Sequence, residues 1–206
     1  MLLYGSTDSG HSYKVRSFLL LAGIDHEYRW IDLGKARTQR PPDFVAASRF
    51  GEVPVLVDEG RPLCQSNAIL IHLAQKSDRF RGHAAEWPTV LEWLWWEANR
   101  VGFSVPNLRF SLHWAKQPPE VLAYLRGRAE ADLETLDSFL SSSQFLLPSG
   151  PTLADISCSA YLFWLSQAGL SEASYPNVRR WLNAIRGLPR WRHPDEALKA
   201  EPSGET

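Results

Sequence analysis

A valine–proline pair at the head of an apolar stretch has the residue types that could hold a peptide ligand. Val53-Pro54 separates the polar Gly51-Glu52 from the strand-like residues 55–57. Because proline cannot donate to a sheet ladder, its place at a strand start calls for special backbone geometry, such as a cis bond. We expect a cis Val53-Pro54 bond to turn the Val53 N–H and C=O away from the sheet, where they could pair with an extended peptide.

A polar pair, Gln65-Ser66, follows this segment and precedes a helical pattern. Serine is a preferred N-cap, so we expect Ser66 to cap a helix over residues 68–76. Helix N-termini attract carboxylates. Together with an open edge at Val53, this helix start predicts a small acidic peptide as the ligand. The alternative is an ordinary strand–turn–strand–helix segment without a ligand.

The loop of residues 5–12 joins the first strand to the first helix and is rich in small hydroxyl side chains. It contains no cysteine, so dithiol exchange of the thioredoxin kind is not expected. A serine there could instead donate a hydrogen bond to a thiolate carried by the ligand. Ser9 and Ser12 are the candidates, although Ser12 could be the N-cap of the next helix and Ser9 a turn serine bonded to its own backbone. His11 lacks a partner acid, so we expect a loop or ligand-edge residue rather than a base.

The two peptide-reading segments resemble the glutathione-binding half of the cytosolic glutathione transferase superfamily. In that family a valine before a cis-proline pairs with the cysteinyl backbone of glutathione, and a Glu/Gln-Ser pair binds its γ-glutamyl end. The resemblance implies these roles for Val53-Pro54 and for Gln65-Ser66, with glutathione as co-substrate.

The hydroxyl loop carries a second resemblance to the same family. Ser9 stands six residues before Val15, as the serine of theta- and zeta-type transferases stands before a Val or Ile of the first helix. This spacing implies that Ser9 stabilises the glutathione thiolate. Ser12 is the second choice, because related motifs place a Ser or Cys three residues further on.

One charge departs from the family pattern. Glu52 occupies a place where the family often has Lys or Gln, and its carboxylate would weaken the binding of an anionic ligand unless it faces solvent. The loop that often contacts the glycine carboxylate in the family holds three cations that could compensate. Among Lys35, Arg37 and Arg40 the choice stays open, with Lys35 and Arg37 taken as the glutathione-binding candidates.

Residues 1–76 alternate strand and helix signals in the order strand, helix, strand, helix, strand, strand, helix. A helical connection makes the first two strands parallel, and a short turn makes the last two antiparallel. The sequence therefore predicts an α/β thioredoxin-like domain with a mixed four-stranded sheet, which the resemblance also implies. The predicted strands cover residues 2–4, 27–33, 55–57 and 62–64, and the predicted helices cover residues 14–22, 44–47 and 68–76.

Beyond a polar linker at residues 77–86 the strand signals vanish, and residues 87–195 are predicted to form an all-helical domain. Helical periodicity begins near Pro88, with Trp95 on the apolar stripe, and a long helix is predicted over residues 119–140. A capping box of Thr152 and Asp155 should begin a buried central helix that ends at Gly169. A further helix is expected to start at Pro176, and the polar tail at residues 196–206 should fray, beginning from Pro194.

The helical domain would also form the part of a transferase site that binds the second substrate. Its aromatic density indicates an apolar pocket for an electrophile, although tryptophans at helical spacing are more often core. The pocket candidates are Trp96, Asn99 and Phe103, with Trp95 and Arg109 as further possibilities.

Composition excludes several other classes of protein. The 206-residue chain is 44% hydrophobic and has a formal net charge of −1, which fits a globular protein and gives no bulk attraction to nucleic acid or to an anionic membrane. It shows neither a signal peptide nor a membrane-spanning apolar run, so a cytoplasmic location is expected. Two cysteines, Cys64 and Cys158, provide neither a disulfide framework nor a metal site and are expected to fill the core.

The resemblance implies a glutathione transferase that conjugates the glutathione thiolate to small apolar electrophiles in detoxification. It also implies a homodimer, in which Phe50 could insert into the neighbouring subunit or pack within its own domain. Two alternatives stay open. One is a glutathione-dependent peroxidase or dehalogenase that uses the same binding site, and the other is a non-catalytic binding or interaction module.

Overall fold

The computed structural model of the chain describes residues 1–199, which fall into two units. Among these residues, the first unit contains residues 1–79 and 189–199, and the second contains residues 80–188. The observed division differs from the predicted one in two places, the linker and the C-terminal end, and packing within each unit explains both.

The first unit is built on a mixed four-stranded sheet, as predicted. Its strands are β1 (Leu2–Gly5), β2 (Glu27–Trp30), β3 (Val55–Asp58) and β4 (Arg61–Cys64), in the spatial order β2-β1-β3-β4. β1 pairs in parallel with β2 and antiparallel with β3, which in turn pairs antiparallel with β4. Helices α1 (Gly10–Ala22), α2 (Pro42–Ala47) and α3 (Ser66–Ser77) complete the thioredoxin-like arrangement.

Helix α1 starts four residues earlier than its apolar periodicity indicated. The prediction began at residue 14, whereas the helix begins at Gly10, because the Ser9 side chain accepts a hydrogen bond from the Ser12 backbone N–H and caps the first turn. Gly23 ends the helix in the left-handed conformation, with φ of 69°. Val15, Phe18 and Leu19 of this helix are fully buried.

One aromatic hydroxyl near the sheet has a structural role. Tyr4 belongs to a core cluster with Ile31, Phe44 and Val55, and its hydroxyl donates to Asp43 Oδ2 over 2.7 Å. Burial and this contact with the Asp43 carboxylate raise the pKa of Tyr4 to about 12. Tyr4 therefore fastens α2 to the sheet and is not a candidate for proton transfer.

The C-terminal segment packs against the first unit. The Tyr13 hydroxyl donates to the Arg192 carbonyl over 2.8 Å, and a short helix α9 (Pro194–Ala197) is followed by a fully buried Leu198. The expectation that the chain frays from Pro194 is wrong for residues 194–199, because Pro194, Ala197 and Leu198 are buried. Residues 200–206 of the predicted tail lie outside the described residues.

The second unit begins inside the predicted linker. The Phe80 carbonyl accepts a hydrogen bond from Leu153 N, and the Glu86 carboxylate accepts one from Ser149 N. Polar composition suggested a linker over residues 77–86, but these contacts tie its later part to the helical unit.

Five longer helices form the helical unit. They are α4 (Trp87–Asn99), α5 (Val101–His113), α6 (Pro119–Phe139), α7 (Leu153–Ser159) and α8 (Pro176–Arg186). The long helix from Pro119 is confirmed. Helix α5 was missed, because it contains both Gly102 and Pro106, and it follows a break at Arg100, where φ is −120° and ψ is −108°.

The capping box is confirmed, but the helix it starts is shorter than predicted. Thr152 and Asp155 bond each other's backbone in the predicted manner. Helix α7 ends at Ser159, and Leu162–Ala168 forms a 3-10 segment in which Trp164 departs from helical geometry. The prediction of one continuous helix to Gly169 was wrong, although the segment is buried and Gly169 does end it in a left-handed conformation.

None of the helices within residues 1–199 has the length and apolar character needed to cross a membrane.

The β3–β4 hairpin gives a prediction about stability in acid. The buried Asp58 carboxylate accepts hydrogen bonds from Lys76 Nζ and His72 Nε2, each over 2.8 Å, and the Lys76 bond above all lowers the pKa of Asp58. A lowered pKa means that this stabilisation is present above the unfolded-state pKa of ~3.9 and is lost as the pH falls through the folded-state value.

We therefore expect Asp58→Asn to be less stable than the wild type at neutral pH, with a gap that closes in acid. Urea denaturation at pH values from neutral to strongly acidic would measure both proteins. A gap of constant size across this series would contradict the prediction.

Candidate functional site

The sheet register places the predicted ligand-binding segments along one edge. Tyr4 pairs with Val55, and Val55 pairs with Cys64. Gly5 pairs with Trp30 at the end of β2. The loop after β1, the residues before β3 and the residues after β4 therefore all leave the sheet at the same edge, together with the loop after β2.

This edge has the dimensions of a short peptide. Four strands spaced ~4.8 Å apart span ~14 Å, and three extended residues span ~10 Å. A tripeptide could therefore contact several of these segments at once.

The bond between Val53 and Pro54 is cis, as the sequence predicted. The sheet ladder begins at Val55, and no backbone partner within residues 1–199 pairs with the Val53 N–H or C=O. Val53 is half-buried. Its donor and acceptor thus lie open at the sheet edge, which is the arrangement that could pair with an extended ligand backbone.

Ser9 combines a capping role with a remaining donor. Its Oγ accepts the Ser12 N–H over 3.1 Å and its side chain is only half-buried. A serine hydroxyl has one donor hydrogen and two acceptor lone pairs. Accepting the cap bond therefore leaves the Ser9 hydrogen free to be donated to a ligand atom, so the two roles weighed for Ser9 are compatible.

Ser12 is placed differently from the expectation. It is not the N-cap of α1, because Ser9 occupies that position. Its side chain is fully buried, and its Oγ accepts the Ser6 N–H over 3.3 Å. Ser12 therefore stabilises the loop from inside, and a ligand at the edge would meet Ser9 first.

Other side chains near this loop have structural or electrostatic roles. Burial, with a smaller contribution from Lys14, lowers the pKa of His11 to about 3. His11 is therefore neutral near pH 7 and is a poor base. Trp30 Nε1 donates to Thr7 Oγ1 over 2.9 Å and connects the loop to the end of β2, a contact that no local sequence pattern predicts.

The start of α3 lies one residue from the predicted cap. The helix begins at Ser66, and the N-cap residue is Gln65, which has φ of 70° and makes no side-chain capping bond. The prediction of Ser66 as N-cap was therefore wrong by one position. A non-glycine residue at positive φ costs on the order of 1–3 kcal/mol, and such strain is typical of functional sites.

The Glu52 carboxylate contacts one of the residues expected to bind the ligand. Its side chain is exposed, and its carboxylate Oε2 accepts a hydrogen bond from Gln65 Nε2 over 3.3 Å. The sequence could not show this contact, because the two residues are thirteen positions apart. The contact places the negative charge of Glu52, which is unusual for the family, next to Gln65-Ser66, the pair expected to bind the γ-glutamyl end.

In the basic loop after β2, two of the three cationic side chains donate hydrogen bonds to backbone carbonyls. Arg40 donates to the carbonyls of Lys35, Gly51 and Leu33, and Arg37 donates to the carbonyl of Ser48. Lys35 is exposed, and within residues 1–199 its ammonium takes part in none of the hydrogen bonds or ion pairs. Lys35 is therefore the freest of the three cations to meet a ligand carboxylate.

In the helical unit two of the three pocket candidates share one neighbour. The Asn99 carbonyl accepts a hydrogen bond from Arg128 Nη2 over 3.0 Å, and the same guanidinium lies 5.4 Å from the Phe103 ring. Trp96 packs edge-on against Trp93, with ring centroids 5.3 Å apart.

The further pocket candidates have other surroundings. Arg109 is buried, donates to Gln167 Oε1 over 2.8 Å and lies 4.3 Å from the Trp164 ring, so it belongs to the core of the helical unit. Trp95 was expected on the apolar stripe of its helix, but it is 60% exposed.

The two cysteines differ in burial. Cys158 is buried as expected, whereas Cys64 is half-buried at the end of β4.

Comparison with known proteins gives the family. The N-terminal domain of glutathione S-transferases matches residues 8–76, and the C-terminal domain of the same family matches residues 119–184. The disulfide-bond oxidoreductase YfcG of Escherichia coli (strain K12) is 30% identical over 200 residues, covering 91% of this chain and 90% of YfcG.

Solved structures agree with this assignment. A glutathione S-transferase from Xanthobacter autotrophicus Py2 is 30% identical, with a TM-score of 0.84 over 96% of this chain and 99% of that one. A glutathione transferase homologue from Lodderomyces elongisporus, solved with two glutathione molecules per subunit, shares the fold at 22% identity and a TM-score of 0.84, covering 96% of this chain and 98% of its own. The chain belongs to the glutathione S-transferase family, as its two matched domains and its relatives show.

Proposed function

We propose that the chain binds glutathione along the sheet edge and uses the glutathione thiolate as a nucleophile. The observation that carries this proposal is the convergence of an open Val53 backbone, a half-buried Ser9 hydroxyl and the start of α3 at one edge. Val53 would pair with the cysteinyl backbone, and Gln65-Ser66 would hold the γ-glutamyl end. Lys35 would meet the glycine carboxylate, with Arg37 and Pro54 shaping the site around it.

The Ser9 hydroxyl would donate a hydrogen bond to the glutathione sulfur and so favour the thiolate over the thiol. The N-terminus of α1 begins at the next residue, and its partial positive charge acts in the same direction. A serine in this role needs no base, which agrees with the neutral His11 beside it. The sulfur could then attack an electrophilic carbon, with the leaving group departing as an anion.

The proposed second substrate is a small apolar electrophile that contacts the helical unit at Trp96, Asn99 and Phe103. Phe103 is 40% exposed, and Arg128 lies beside its ring. An exposed aromatic ring next to a cation could accept a flat, electron-poor ligand. Asn99 adds a polar group at the same place.

Disulfide reduction is the second candidate, because the chain is 30% identical to a disulfide-bond oxidoreductase. The glutathione sulfur would attack one sulfur of the substrate disulfide, and the other sulfur would leave as a thiolate. A second glutathione would then attack the mixed disulfide and release oxidised glutathione. Both thiols come from glutathione, so the absence of cysteine from residues 5–12 is no obstacle.

Peroxide reduction and dehalogenation, which would use the same edge, are further alternatives, and a non-catalytic binding or interaction module is the alternative from another class. A homodimer and a cytoplasmic location belong to the proposal as well. Phe50, 52% exposed within its own unit, is the aromatic side chain that a partner subunit could cover.

Retention on immobilised glutathione tests the binding step. We expect the purified chain to be retained and to be released by free glutathione, because the Val53 edge and the α3 start lie open. Glutathione turnover against an activated aryl chloride, a small disulfide and an organic hydroperoxide would then separate the candidate reactions. A chain that passes through the column unretained, together with a stable protein partner, would favour the non-catalytic module.

A further inference from the structure

Two arginines of the helical unit carry positive charge without an ion pair. Within residues 1–199, neither the Arg100 nor the Arg128 guanidinium lies within salt-bridge distance of a carboxylate. A carboxylate whose charge acts on both of them is Asp132, which is buried and accepts a hydrogen bond from Ser104 Oγ over 2.6 Å. One buried carboxylate is thus shared by two arginines, which leaves an excess of positive charge at this place.

The Arg128 guanidinium is half-buried and is held at two points. Its Nη1 donates to the Tyr124 hydroxyl over 3.2 Å, and its Nη2 donates to the Asn99 carbonyl over 3.0 Å. Because both acceptors are neutral, they orient the cation without cancelling its charge. A guanidinium has five N–H donors, so three remain for a ligand.

Two exposed aromatic rings flank the same guanidinium. Its central carbon lies 5.4 Å from the centroid of the Phe103 ring on α5 and 6.0 Å from that of the Tyr124 ring on α6. Both rings are exposed, Tyr124 more than Phe103. We call Arg100, Phe103, Tyr124 and Arg128 the arginine–aromatic cluster.

The arginine–aromatic cluster favours one combination of ligand groups. The exposed rings can pack against a planar, electron-poor ring. The remaining N–H groups of a guanidinium match the two oxygens of a carboxylate, with which they form parallel, charge-assisted hydrogen bonds. The excess positive charge repels a cationic ligand and attracts an anionic one. A flat aromatic ring that carries a carboxylate therefore fits both parts of the cluster.

We propose that Arg128 is a specificity-determining residue for the second substrate, and that this substrate is an electron-poor aryl halide whose ring carries a carboxylate. This inference rests on the proposed function and adds a charged group to the electrophile. The ring packs against Phe103 and the carboxylate accepts hydrogen bonds from Arg128, while Arg100 adds attraction at longer range.

The reaction of such a substrate is a displacement on the ring. The thiol proton of glutathione goes to water, and the thiolate sulfur attacks the ring carbon that bears the halogen. A carbon–sulfur bond forms, and the halide leaves with the electron pair of the broken carbon–halogen bond. The carboxylate takes no part in these bond changes, so Arg128 acts on binding and orientation alone.

A matched pair of aryl chlorides tests the requirement for a carboxylate. The first is 4-chloro-3,5-dinitrobenzoate, and the second is its methyl ester, which has the same ring, nitro groups and leaving group without the charge. Each kcat/KM is divided by the rate constant of the same compound with free glutathione, because an ester activates the ring more than a carboxylate does. We expect the wild type to prefer the acid about tenfold on this scale, which corresponds to ~1.4 kcal/mol.

Three variants locate the preference. Arg128→Gln should remove it while turning over the methyl ester nearly as the wild type does, and that turnover also shows that the variant is folded. Arg100→Gln changes a side chain that makes neither a hydrogen bond nor an ion pair within residues 1–199, and it should lower the preference about threefold. Arg179→Gln is the matched control, since Arg179 is an exposed arginine of α8 in the same unit, and it should keep the full preference.

A titration without glutathione separates this inference from the proposed function. The probe is 3,5-dinitrobenzoate, which has no halide to lose, and its methyl ester is the neutral reference. Calorimetry should show that the wild type binds the acid about tenfold more tightly than the ester, and that Arg128→Gln binds the two equally.

Two kinds of result would overturn the inference. Equal wild-type values for acid and ester, or a preference that Arg128→Gln retains, would show that Arg128 does not read the carboxylate, although conjugation itself would stand. A wild type that binds dinitrobenzoate through Arg128 but conjugates neither chloride would end the proposed function and the proposed substrate class with it.

Discussion

Replacing Ser9 with alanine should leave glutathione bound but remove most of its reactivity. The expected effects are a rise of the bound thiol pKa by about 1–2 units and a roughly 10- to 100-fold fall in kcat/KM near neutral pH. The thiolate absorbance of the bound ligand as a function of pH measures the first effect, and steady-state kinetics measure the second.

The size of this effect follows from the chemistry of a thiolate. Lowering a thiol pKa from ~8.5 by two units requires ~2.7 kcal/mol of preferential stabilisation of the charged form. One hydrogen bond to a charged atom supplies ~1.5–3 kcal/mol, and a helix N-terminus adds ~0.3–1 kcal/mol. The Ser9 hydroxyl and the start of α1 are therefore sufficient together, and the hydroxyl supplies the larger part.

Alanine also removes the cap of α1, which must be separated from the chemical effect. Ser→Ala at an N-cap costs ~1 kcal/mol of stability, whereas Ser→Gly costs only a few tenths. Ser9→Gly should therefore lose reactivity as Ser9→Ala does while remaining nearly as stable as the wild type. Ser9→Thr, which keeps a hydroxyl in a good capping residue, should restore both properties.

The buried Ser12 supplies the opposite control. Ser12→Ala removes the acceptor for the Ser6 N–H, so it should lower stability without raising the pKa of the bound thiol. If Ser9→Gly kept a wild-type thiol pKa while Ser12→Ala raised it, the role assigned to Ser9 would belong to Ser12.

The sequence predicted the sheet and its edge because these depend on local and periodic signals. Short apolar strands, the order of the elements and the proline before β3 are all readable from neighbouring residues, and the cis bond at Pro54 follows from the same few positions. Once the topology is set, the register alone brings Ser9, Val53 and Gln65 to one edge.

The features that were missed depend on contacts between distant positions or on competition among capping residues. Ser9 rather than Ser12 caps α1, since both are good capping residues and the loop conformation decides between them. The contact between Glu52 and Gln65 and the bond from Tyr13 to Arg192 join residues far apart in the chain. No local pattern encodes such pairs, so only the folded structure reveals them.

Replacing Asp155 with alanine should cause the largest loss of stability in the helical unit, about 4 kcal/mol. Its carboxylate accepts hydrogen bonds from Leu146 N, Thr152 N and Trp181 Nε1 over 2.8–2.9 Å, and from Thr152 Oγ1 over 3.2 Å. Burial raises the pKa of Asp155, and these donors counter it. Without the carboxylate, three N–H groups would be left buried and unpaired, at ~1–3 kcal/mol each.

Asp137 offers a matched control, because burial is the main difference between the two sites. Its carboxylate also accepts from three N–H groups, those of Asn177 N, Asn177 Nδ2 and Val178 N, but it is only half-buried. Water can replace the lost acceptor there, so Asp137→Ala should cost ~1 kcal/mol. Urea denaturation, with amide exchange at Leu146 and Thr152 to localise the change, would measure both variants. Equal losses would mean that the number of hydrogen bonds, and not their burial, sets the stability of the helical unit.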